Sequence, residues 1–519
     1  MDEKKIVSHF LNRGILMSPD VLINKESFEK FMIENKLEET DFEALSLFFK
    51  NSFYKIDTKT EEKNNRFIMP FSEKETNKLE NRAIKINSGQ TEKISPTPHL
   101  NNSLVKIVFS YEEESKKRTC EDFISYFKIR FKSIRNILQN RQELQNVISI
   151  QRLNMKKEKE TVSIIGMVLE IQKTKKGNLM VILEDLTDKI TCVVSKENTE
   201  LFEQSKEIVL DEVIGLSGYF NGSIIYVNTF VWPDVPFSKE LKKAPNEAYA
   251  VFISDTEFGN KFFQEASWNN FIKWIRGEIG TDEQKQIVHK IKYLFIAGDL
   301  VDGVGIYPGQ EADLTISDIY KQYEVFAEYL KQIPKEITII TSPGNHDAMR
   351  IAEPQPPLYR DFAAKVWELP NVINVSNPAI INIHASESFP GFDVLIYHGY
   401  SFTYYGDNVE SLRTAGGINR TDLILKFLMK KRHLAPTHQS SLYLPTSEKD
   451  FLFIETVPDF FVTGHVHQVA ALNYRNVTLL NCSCWLSQTP YQEKMGVNPE
   501  ISKAIIVNLQ TREIKIMRF

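Results

Sequence analysis

The stretch that decides the fold is KYLFIAGDLVDG, residues 292–303, in which an apolar run ends in two carboxylates. The apolar run predicts a buried strand, and the glycine after it lets the backbone turn sharply. Asp299 and Asp302 therefore follow the carboxyl end of this strand. In sheets of parallel strands, ligands bind at that edge. The stretch thus predicts a polar site at the edge of a buried sheet.

Four further clusters follow the same pattern of an apolar run that ends in polar residues. They are Asp255-Thr256-Glu257, Gly344-Asn345-His346-Asp347, His398-Gly399 and Gly464-His465-Val466-His467. Each cluster alone is common in proteins, but five in succession argue for one shared site. Because the apolar runs alternate with helical stretches, we predict a layered α/β domain over residues 245–519.

The five clusters supply carboxylate oxygens, an amide oxygen and imidazole nitrogens. This mixture suits Mn²⁺, Fe²⁺ or Zn²⁺. One carboxylate can bridge two cations about 3.5–4 Å apart, and such a pair activates water and neutralises charge on a phosphoryl group. The clusters therefore predict two divalent metal ions and the hydrolysis of a phosphate ester.

Residues 159–240 predict a second domain, because their pattern changes to short strands. Turn residues occur at 176–178 and at 185, a helical insert falls near 198–206, and Asn221-Gly222 is a strong hairpin signal. Five such strands indicate an OB-type β-barrel. Barrels of this type bind single strands or act as protein interfaces, and the scarcity of candidate stacking aromatics favours the scaffold role.

The first 158 residues predict three segments. Residues 1–50 are expected to form an N-terminal helical module that could dock a partner, and residues 51–105 are polar enough for a flexible linker. Residues 106–158 are expected to form a helical segment. Its apolar face comprises Phe123, Phe127, Phe131, Ile134 and Leu138. The basic residues between them are Lys128, Arg130, Lys132 and Arg135, for which a solvated face is favoured over contact with a phosphate backbone.

Composition restricts the class of protein. The chain has 519 residues and a net charge of −5, which excludes a strongly basic mode of DNA binding. The four cysteines, Cys120, Cys192, Cys482 and Cys484, form no CxxC pair and predict a reducing compartment. The first residues, MDEKKIVSHF, lack the apolar core of a signal peptide, and no apolar run reaches the roughly 20 residues of a membrane span. We therefore expect a cytoplasmic protein that does not bind membranes.

Three longer strings of sequence indicate a protein family that the chain resembles. They are GDLVDGVGIYPGQE at 298–311, PGNHDAMRIAEPQPPL at 343–358 and SQTPYQEKMGVNP at 487–499. Together with the five clusters, they resemble the small subunit of archaeal DNA polymerase D, within the calcineurin-like metallophosphoesterase superfamily. The resemblance covers the OB-type and phosphoesterase regions and, more loosely, the N-terminal helices. It implies a multidomain α+β chain: a helical N-terminal module, an OB-type β-barrel and a layered α/β calcineurin-like phosphoesterase domain.

The resemblance also implies a function and its partners. The small subunit of this family is associated with Mn²⁺-dependent 3′→5′ exonuclease proofreading as part of a DNA-directed DNA polymerase. The implied partners are the large catalytic subunit of DNA polymerase D and DNA 3′ ends, and a sliding clamp is a candidate partner for the N-terminal helices. The acidic net charge fits a large subunit that supplies much of the phosphate-binding surface.

Site residues carry over from the family motifs position by position. The implied metal ligands are Asp255, Glu257, Asp299, Asn345, His398, His465 and His467. Asp299 would bridge the two ions, His346 would protonate or stabilise the leaving 3′-oxygen, and Asp302 would orient a neighbouring histidine or ligand. Arg350 and Arg360, which follow the third cluster, are predicted either to contact DNA phosphates or to form salt bridges.

One residue departs from the family pattern. The family's first motif is Asp-x-His, whereas this chain has Asp255-Thr256-Glu257. Either Glu257 binds the first metal and makes it a weaker Lewis acid, or it points away and the first metal binds poorly. Because the other motif residues are intact, we favour an active enzyme. The alternative is a catalytically weakened or inactive structural subunit that scaffolds the large polymerase subunit.

A stand-alone phosphatase is disfavoured, since it would need neither linker nor barrel. The remaining candidates have weaker cases. Trp485 and Tyr491 could equally line the groove or not, and Cys482 and Cys484 are expected to pack as small apolar residues. The histidines expected to be structural or exposed are His384, His433 and His438.

Overall fold

The computed structural model describes residues 105–112, 116–156, 159–446, 448–494 and 496–519. The predicted N-terminal helical module at 1–50 and the predicted linker up to residue 104 lie outside the described residues. Within the described part of the chain, no helix combines the length and apolar character needed to cross a bilayer. The account below concerns the predicted helical segment, the barrel and the phosphoesterase domain.

The segment that precedes the barrel contains a strand and two helices. These are β1 (Val105–Ser110), α1 (Cys120–Leu138) and α2 (Ile150–Asn154). The prediction of a helical segment from residue 106 is therefore wrong for its first residues. β1 pairs antiparallel with residues 379–383 at the edge of a phosphoesterase sheet. That strand edge, more than 260 residues away, stabilises β1, and a local apolar pattern cannot reveal it.

Helix α1 buries the predicted apolar face and one residue predicted to be solvated. Phe131, Ile134 and Leu138 are buried, as expected, but Arg130 is also fully buried. Its Nε donates to Oδ2 of Asp450 at 2.8 Å, and its Nη1 donates to a backbone carbonyl at 2.6 Å. The prediction for Arg130 is wrong because its partner lies 320 residues further along the chain.

Asp450 is the centre of a buried polar cluster with Tyr126, Arg130 and His433. Tyr126 donates its hydroxyl to Oδ1 at 2.6 Å, and Nε2 of His433 donates to Oδ2 at 2.8 Å. Nδ1 of His433 accepts the backbone N–H of Ala435 at 3.0 Å, which requires that nitrogen to be unprotonated. His433 is therefore held as a neutral imidazole, in agreement with its predicted structural role.

We expect His433 to make the protein sensitive to acid. Burial and the charge of Arg130 lower the pKa of His433 to about 4, although Asp450 opposes them. An unfolded histidine takes up its proton near pH 6.5. As the pH falls from about 6.5 to about 4, the unfolded state therefore binds one more proton, and the free energy of unfolding decreases by up to about 1.4 kcal/mol per pH unit. Urea unfolding of the wild type and His433→Gln across this range should show a flatter dependence in the variant. Equal slopes in the two proteins would contradict the assignment.

The second domain is a closed barrel of five strands, as predicted. Its elements are β2 (Glu160–Lys173), β3 (Leu179–Glu184), β4 (Lys189–Val194), α3 (Thr199–Ser205), β5 (Val213–Phe220) and β6 (Ile224–Val231). The strand order in the barrel is β2-β3-β4-β6-β5. The short helix α3 lies between β4 and β5 along the chain. Alternate residues of β3 and β4 point into the barrel and are buried. The OB-type barrel is confirmed.

The phosphoesterase domain contains two six-stranded sheets. The strands of the first sheet are β7 (Tyr249–Ile253), β8 (Ile291–Ala297), β9 (Thr338–Ser342), β10 (Val372–Asn374), β16 (Lys503–Asn508) and β17 (Ile514–Arg518). The second sheet contains β1 and the strands β11 (Ala379–Ile383), β12 (Phe392–Ile396), β13 (Phe460–Thr463), β14 (Ala470–Tyr474) and β15 (Val477–Asn481). The strand order is β10-β9-β8-β7-β16-β17 in the first sheet and β1-β11-β12-β13-β15-β14 in the second.

Helices cover the outer faces of both sheets. They are α4 (Glu265–Ile275), α5 (Asp282–Val288), α6 (Ile319–Leu330), α7 (Arg360–Trp367), α8 (Phe402–Asn408), α9 (Glu410–Thr414), α10 (Thr421–Lys431) and α11 (Pro490–Lys494). Helices α4 to α7 pack on the first sheet, and α8 and α10 pack on the second. Between the sheets, aromatic rings such as Phe252 and Phe295 stack with centroids 5.1 Å apart. The predicted layered α/β domain is therefore a helix–sheet–sheet–helix sandwich.

The strand directions bring the polar clusters together. β7, β8 and β9 are parallel to one another, and so are β12 and β13. Each of these five strands is followed by one of the predicted clusters. Because the carboxyl ends of parallel strands meet at one edge, the side chains beyond them converge.

Candidate metal centre

The five predicted clusters form three adjoining groups of potential ligands. Within each group, one ligand atom per residue lies within 4.8 Å of the others. The groups are Asp255–Glu257–His467, Asp299–His398–His465 and Glu257–Asp302–His346. Every predicted histidine and carboxylate of the site therefore belongs to the centre. Glu257 takes part in two groups.

In the group of Asp299, His398 and His465, the nitrogen that would bind a metal faces oxygen atoms. Nε2 of His398 lies 3.0 Å from Oδ2 of Asp299 and 3.1 Å from Oδ1 of Asn345. Nδ1 of His398 donates to the carbonyl of Ala297 at 2.9 Å, and this bond sets the orientation of the ring. Asn345 thus joins this group as predicted, and Nε2 points to the common centre.

In the group of Asp255, Glu257 and His467, one buried oxygen has no hydrogen bond. Oε1 of Glu257 lies 3.0 Å from Nε2 of His467, yet the alignment allows no hydrogen bond to it among the described residues. Nε2 of His467 is also 3.5 Å from Oδ1 of Asp255. Unpaired buried oxygens are rare because they cost free energy. Glu257 therefore points into the centre, and its free oxygen fits a cation.

The third group places His346 beside Asp302. Nδ1 of His346 lies 3.0 Å from the carbonyl oxygen of Asp302 and 3.7 Å from its Oδ1. The same nitrogen is 3.9 Å from Oε2 of Glu257. The backbone N–H of His346 donates to Oδ1 of Asp299 at 2.8 Å. Asp302 therefore orients the imidazole of His346, whose side chain is 17% exposed while those of the carboxylates are nearly fully buried.

Charges within the centre polarise its titratable groups. Burial disfavours the ionised form of Asp299, but the charges of His398 and His346 outweigh burial and hold the pKa of that carboxyl well below its usual range. Burial lowers the pKa of His346, but Asp299 and Glu257 raise it to about 10. Burial and the neighbouring His398 lower the pKa of His465 to about 3. The imidazole of His465 is therefore neutral and can offer a lone pair.

Burial also raises the pKa of Glu257, to about 7, although the charges of His346 and His467 oppose it. A carboxyl with this pKa gains from a nearby cation, because the cation stabilises its ionised form. The donor set of carboxylates, one amide and imidazoles fits Mn²⁺, Fe²⁺ or Zn²⁺. The residues present are thus chemically suited to divalent metals.

The backbone around the centre is strained. Five of the candidate ligands have φ angles between +41° and +73°: Asp255, Glu257, Asp299, His465 and His467. Non-glycine residues rarely adopt this left-handed region, and such strain clusters at functional sites. Two glycines provide the space that the ligands need. A Cβ at Gly344 would lie 2.2 Å from Oδ1 of Asp299, and a Cβ at Gly464 would lie 2.5 Å from Oδ2 of Asp255.

The two predicted DNA-contacting arginines lie outside the three groups. Nη2 of Arg350 donates to the carbonyl of Pro354 at 2.6 Å, and its guanidinium lies over the ring of Tyr111. Arg360 is exposed, and its guanidinium lies 4.2 Å from the centroid of the Trp367 ring. Neither arginine forms a salt bridge among the described residues. Contact with DNA phosphates stays a prediction for both.

Among the other candidates from the sequence, Trp485 packs away from the centre, whereas Cys484 interacts with the side chain of His467. Trp485 is fully buried in the core and its ring lies edge-on to Trp268, so it does not line a groove. Cys482 and Cys484 are buried free thiols. The side chain of Tyr491 is outside the described residues. The three histidines expected to be structural or exposed, His384, His433 and His438, lie outside the groups, and so does the exposed His289.

Sequence reasoning assigned no role to Asp347, although it was part of a quoted cluster. Its Oδ2 accepts the backbone N–H groups of Gly344 and Leu300 at 2.8 and 3.2 Å, and Tyr323 donates to its Oδ1 at 3.0 Å. Asp347 thereby joins two of the turns that carry ligands. Sequence reasoning also missed three glutamines, Gln310, Gln355 and Gln492, which contact parts of the centre. Their positions in the three longer strings were the available signal.

Comparison with known families agrees with the two described domains. Residues 250–469 match the calcineurin-like phosphoesterase family, and residues 162–223 match the OB-fold nucleic acid binding domain family. Among solved structures, an archaeal phosphodiesterase aligns with 52% of this chain and 99% of its own at 12% identity, with a TM-score of only 0.23. The family matches place a phosphoesterase-type hydrolase domain around the metal centre.

Three archaeal relatives named DNA polymerase II small subunit are similar to most of the chain. The protein of Archaeoglobus fulgidus is 41% identical over 381 residues, which cover 73% of each chain. That of Methanothermobacter thermautotrophicus is 38% identical over 75% of this chain and 77% of its own. That of Pyrococcus furiosus is 39% identical over 77% of this chain, which spans 64% of that longer relative. The predicted family is confirmed: this chain belongs to the small subunits of archaeal DNA polymerase II, also called DNA polymerase D.

Proposed function

We propose that this chain is a 3′→5′ exonuclease that hydrolyses DNA phosphodiesters with two Mn²⁺ ions and proofreads for a two-subunit replicative polymerase. The observation that carries the proposal is the pair of adjoining ligand groups, Asp255–Glu257–His467 and Asp299–His398–His465. Two such groups beside each other suit a two-metal site for phosphoryl transfer. Membership in a family of DNA polymerase subunits supports DNA as the substrate.

The residues of the two groups have distinct tasks. The bound ions would supply Lewis acidity toward the phosphoryl group and lower the pKa of water at the site. Asp255, Glu257 and His467 would hold one ion, and His398, His465 and Asn345 would hold the other. Asp299 lies in the second group, and its carboxylate would be shared between the two ions.

His346 acts on the leaving group. The carbonyl oxygen of Asp302 accepts from Nδ1 of His346, which leaves Nε2 for the substrate. In its protonated form the imidazole donates a proton from Nε2 to the departing 3′-oxygen. No side chain is required as a nucleophile, and we expect no covalent intermediate. Trapping a stable phospho-enzyme would contradict this scheme.

Glu257 is expected to change the Lewis acidity of the first metal but not the number of metals at the site. A carboxylate in place of histidine adds negative charge to the first metal, which makes that ion a weaker Lewis acid. The same charge attracts the cation more strongly. We therefore expect an active enzyme whose first metal binds well and polarises its ligands less.

The proposed partners are the large catalytic subunit of the polymerase and DNA 3′ ends. The relatives' names identify them as small subunits, which supports a large-subunit partner for this chain. The net charge of −5 supports a division of labour in which the large subunit supplies much of the phosphate-binding surface. Binding of a sliding clamp by residues 1–50 is a separate expectation, since those residues lie outside the described part of the chain.

The decisive experiment measures Mn²⁺-dependent release of nucleotide from a 3′-labelled single strand. The full chain should degrade the strand, and His346→Ala should be slower by about 10²- to 10⁴-fold, because it lacks the general acid. His289→Ala is a matched control, since this histidine is exposed and lies outside the ligand groups. It should cut like the wild type.

Two results would contradict the proposal. Equal cutting by the wild type and His346→Ala would remove His346 from the mechanism. If neither protein cuts, even with the large subunit added, the change at Glu257 has disabled the site. The chain would then be the structural scaffold subunit of the alternative interpretation.

A further inference from the structure

We propose that two glutamines, Gln355 and Gln492, are positioning residues, each of which holds one of the two metal-binding groups in place. The function of the metal groups rests on the proposed function above, but the positioning itself concerns metal binding and can be tested without DNA. Both residues come from the long strings at 343–358 and 487–499, which a generic phosphoesterase site does not require.

Gln492 holds the group that contains Glu257. Its Nε2 lies 2.9 Å from Nδ1 of His467, which is the ring nitrogen on the far side from Glu257. Oε1 of the amide accepts the backbone N–H of Thr489 at 3.1 Å. Because an amide nitrogen only donates, Nδ1 of His467 is the acceptor in this contact. When Nε2 of His467 binds a metal, the ring proton lies on Nδ1, and the amide turns so that its Oε1 accepts that proton and orients the ring. Outer contacts of this kind orient metal-binding histidines.

Gln355 supports the group that contains Asp299, His398 and His465 through the backbone next to its ligands. Its Nε2 donates to the carbonyl oxygens of Gly344 and Arg350 at 2.9 and 3.0 Å, on either side of Asn345. Its Oε1 accepts from Nδ2 of Asn377 at 2.7 Å. Asn377 in turn accepts the backbone N–H of His398 at 2.9 Å through its Oδ1. Two buried amides, Gln355 and Asn377, thus link the turn that carries Asn345 to the turn that carries His398.

Glutamine is well suited to both positions. The centre already contains four buried carboxyl groups, Asp255, Glu257, Asp299 and Asp302. An amide offers a donor and an acceptor without adding charge. Both positions use the two ends of the amide at once, and loss of the side chain would leave a buried partner unsatisfied.

A third glutamine of the long strings, Gln310, supports the remaining ligand group. Nε2 of Gln310 donates to the carbonyl and to Oδ2 of Asp302 at 2.9 and 2.8 Å, and its Oε1 accepts from the backbone of Ile306. It is fully buried like Gln355. Asp302 belongs to the group of Glu257, Asp302 and His346, so the loss of Gln310 is expected to affect that group.

The test is a titration of the full chain with Mn²⁺, in which the concentration of free ion is measured by electron paramagnetic resonance. The wild type should bind two ions. Gln492→Ala should weaken one of them by about 10- to 100-fold and leave the other unchanged. Gln492→Glu keeps an acceptor for Thr489 and offers a second oxygen to Nδ1 of His467, so it should restore affinity. If Gln492→Glu binds both ions like the wild type and Gln492→Ala does not, the glutamine acts by orienting His467 and not by filling space.

The second arm uses Gln355→Met, which keeps most of the side-chain volume. It should weaken the other ion by a similar factor, so Gln355→Met with Gln492→Ala should weaken both. Gln488 is exposed and bonds only within the same segment as Gln492, so Gln488→Ala should leave both affinities unchanged. Melting temperatures of all variants, measured without metal, identify any that fail to fold.

The outcomes separate this inference from the proposed function. If Gln492→Ala, or the folded Gln355→Met, binds both ions like the wild type, the positioning role is overturned while the exonuclease proposal stands. If Gln488→Ala weakens Mn²⁺ binding as much as they do, the effect is general and the assignment is also overturned. If the wild type binds two ions but cuts no DNA, the exonuclease proposal fails and the positioning roles remain.

Discussion

Asp299→Asn is expected to reduce Mn²⁺-dependent nuclease activity by about 10³-fold or more. Its carboxylate is the proposed bridge between the two metals and lies 3.0 Å from Nε2 of His398. An amide keeps the shape but loses the charge and one acceptor oxygen. Loss of about 4 kcal/mol of transition-state stabilisation corresponds to a thousandfold slower reaction. The measurement is the rate of nucleotide release at saturating Mn²⁺, together with the number of ions bound.

The matched control for this prediction is Asp422→Asn. Asp422 pairs with Arg420 at the start of α10, where both side chains are partly exposed, and it lies outside the ligand groups. It should retain wild-type turnover and two bound ions. An Asp299→Asn protein that folds, binds two Mn²⁺ ions tightly and cuts at the wild-type rate would show that Asp299 does not bridge the metals.

Asp450→Ala is expected to lower the free energy of unfolding by about 3–5 kcal/mol. Removal of one partner from a buried ion pair leaves an uncompensated charge, here the guanidinium of Arg130. Both side chains are at most 1% exposed, so water cannot replace the lost carboxylate. Tyr126 and His433 lose their acceptor in the same change. Urea unfolding followed by tryptophan fluorescence measures the effect.

A double variant shows whether the charge is the cause. Arg130→Met combined with Asp450→Leu removes both charges and keeps apolar volume, so it should recover part of the lost stability. Asp422→Ala, on the surface, should change the free energy of unfolding by no more than about 0.5 kcal/mol. If the double variant is as unstable as the sum of the two single variants, the ion pair is not what the cluster contributes.

The strands and the site could be predicted from the sequence because their signals are local. Runs such as 249–254 and 292–298 are apolar over the length of a strand, and all five polar clusters follow strands of this kind. A short apolar run that ends in glycine and carboxylate has few alternative structures. For the same reason the barrel hairpin at Asn221-Gly222 occurs where it was expected.

The errors and omissions share one cause, which is contact between residues far apart in the chain. Arg130 has the local environment of a solvated residue, and only Asp450 makes it buried. β1 is a strand because an edge of the second sheet is available to it. Trp485 follows a strand that ends near the centre, but the packing of Trp268 directs its ring into the core. None of these partners lies within the window that a periodic pattern covers.

The sequence by itself determined the order of the domains, the identity of the candidate ligands and the family to which the chain belongs. These depend on residue type and short spacing, which the chain carries along its length. Only the tertiary structure decided that Glu257 points inward with an unpaired oxygen, and that Gln355 and Gln492 support the two metal groups. Side-chain direction and hydrogen-bond partners depend on distances between separate turns, and those distances exist only after the two sheets have packed against each other.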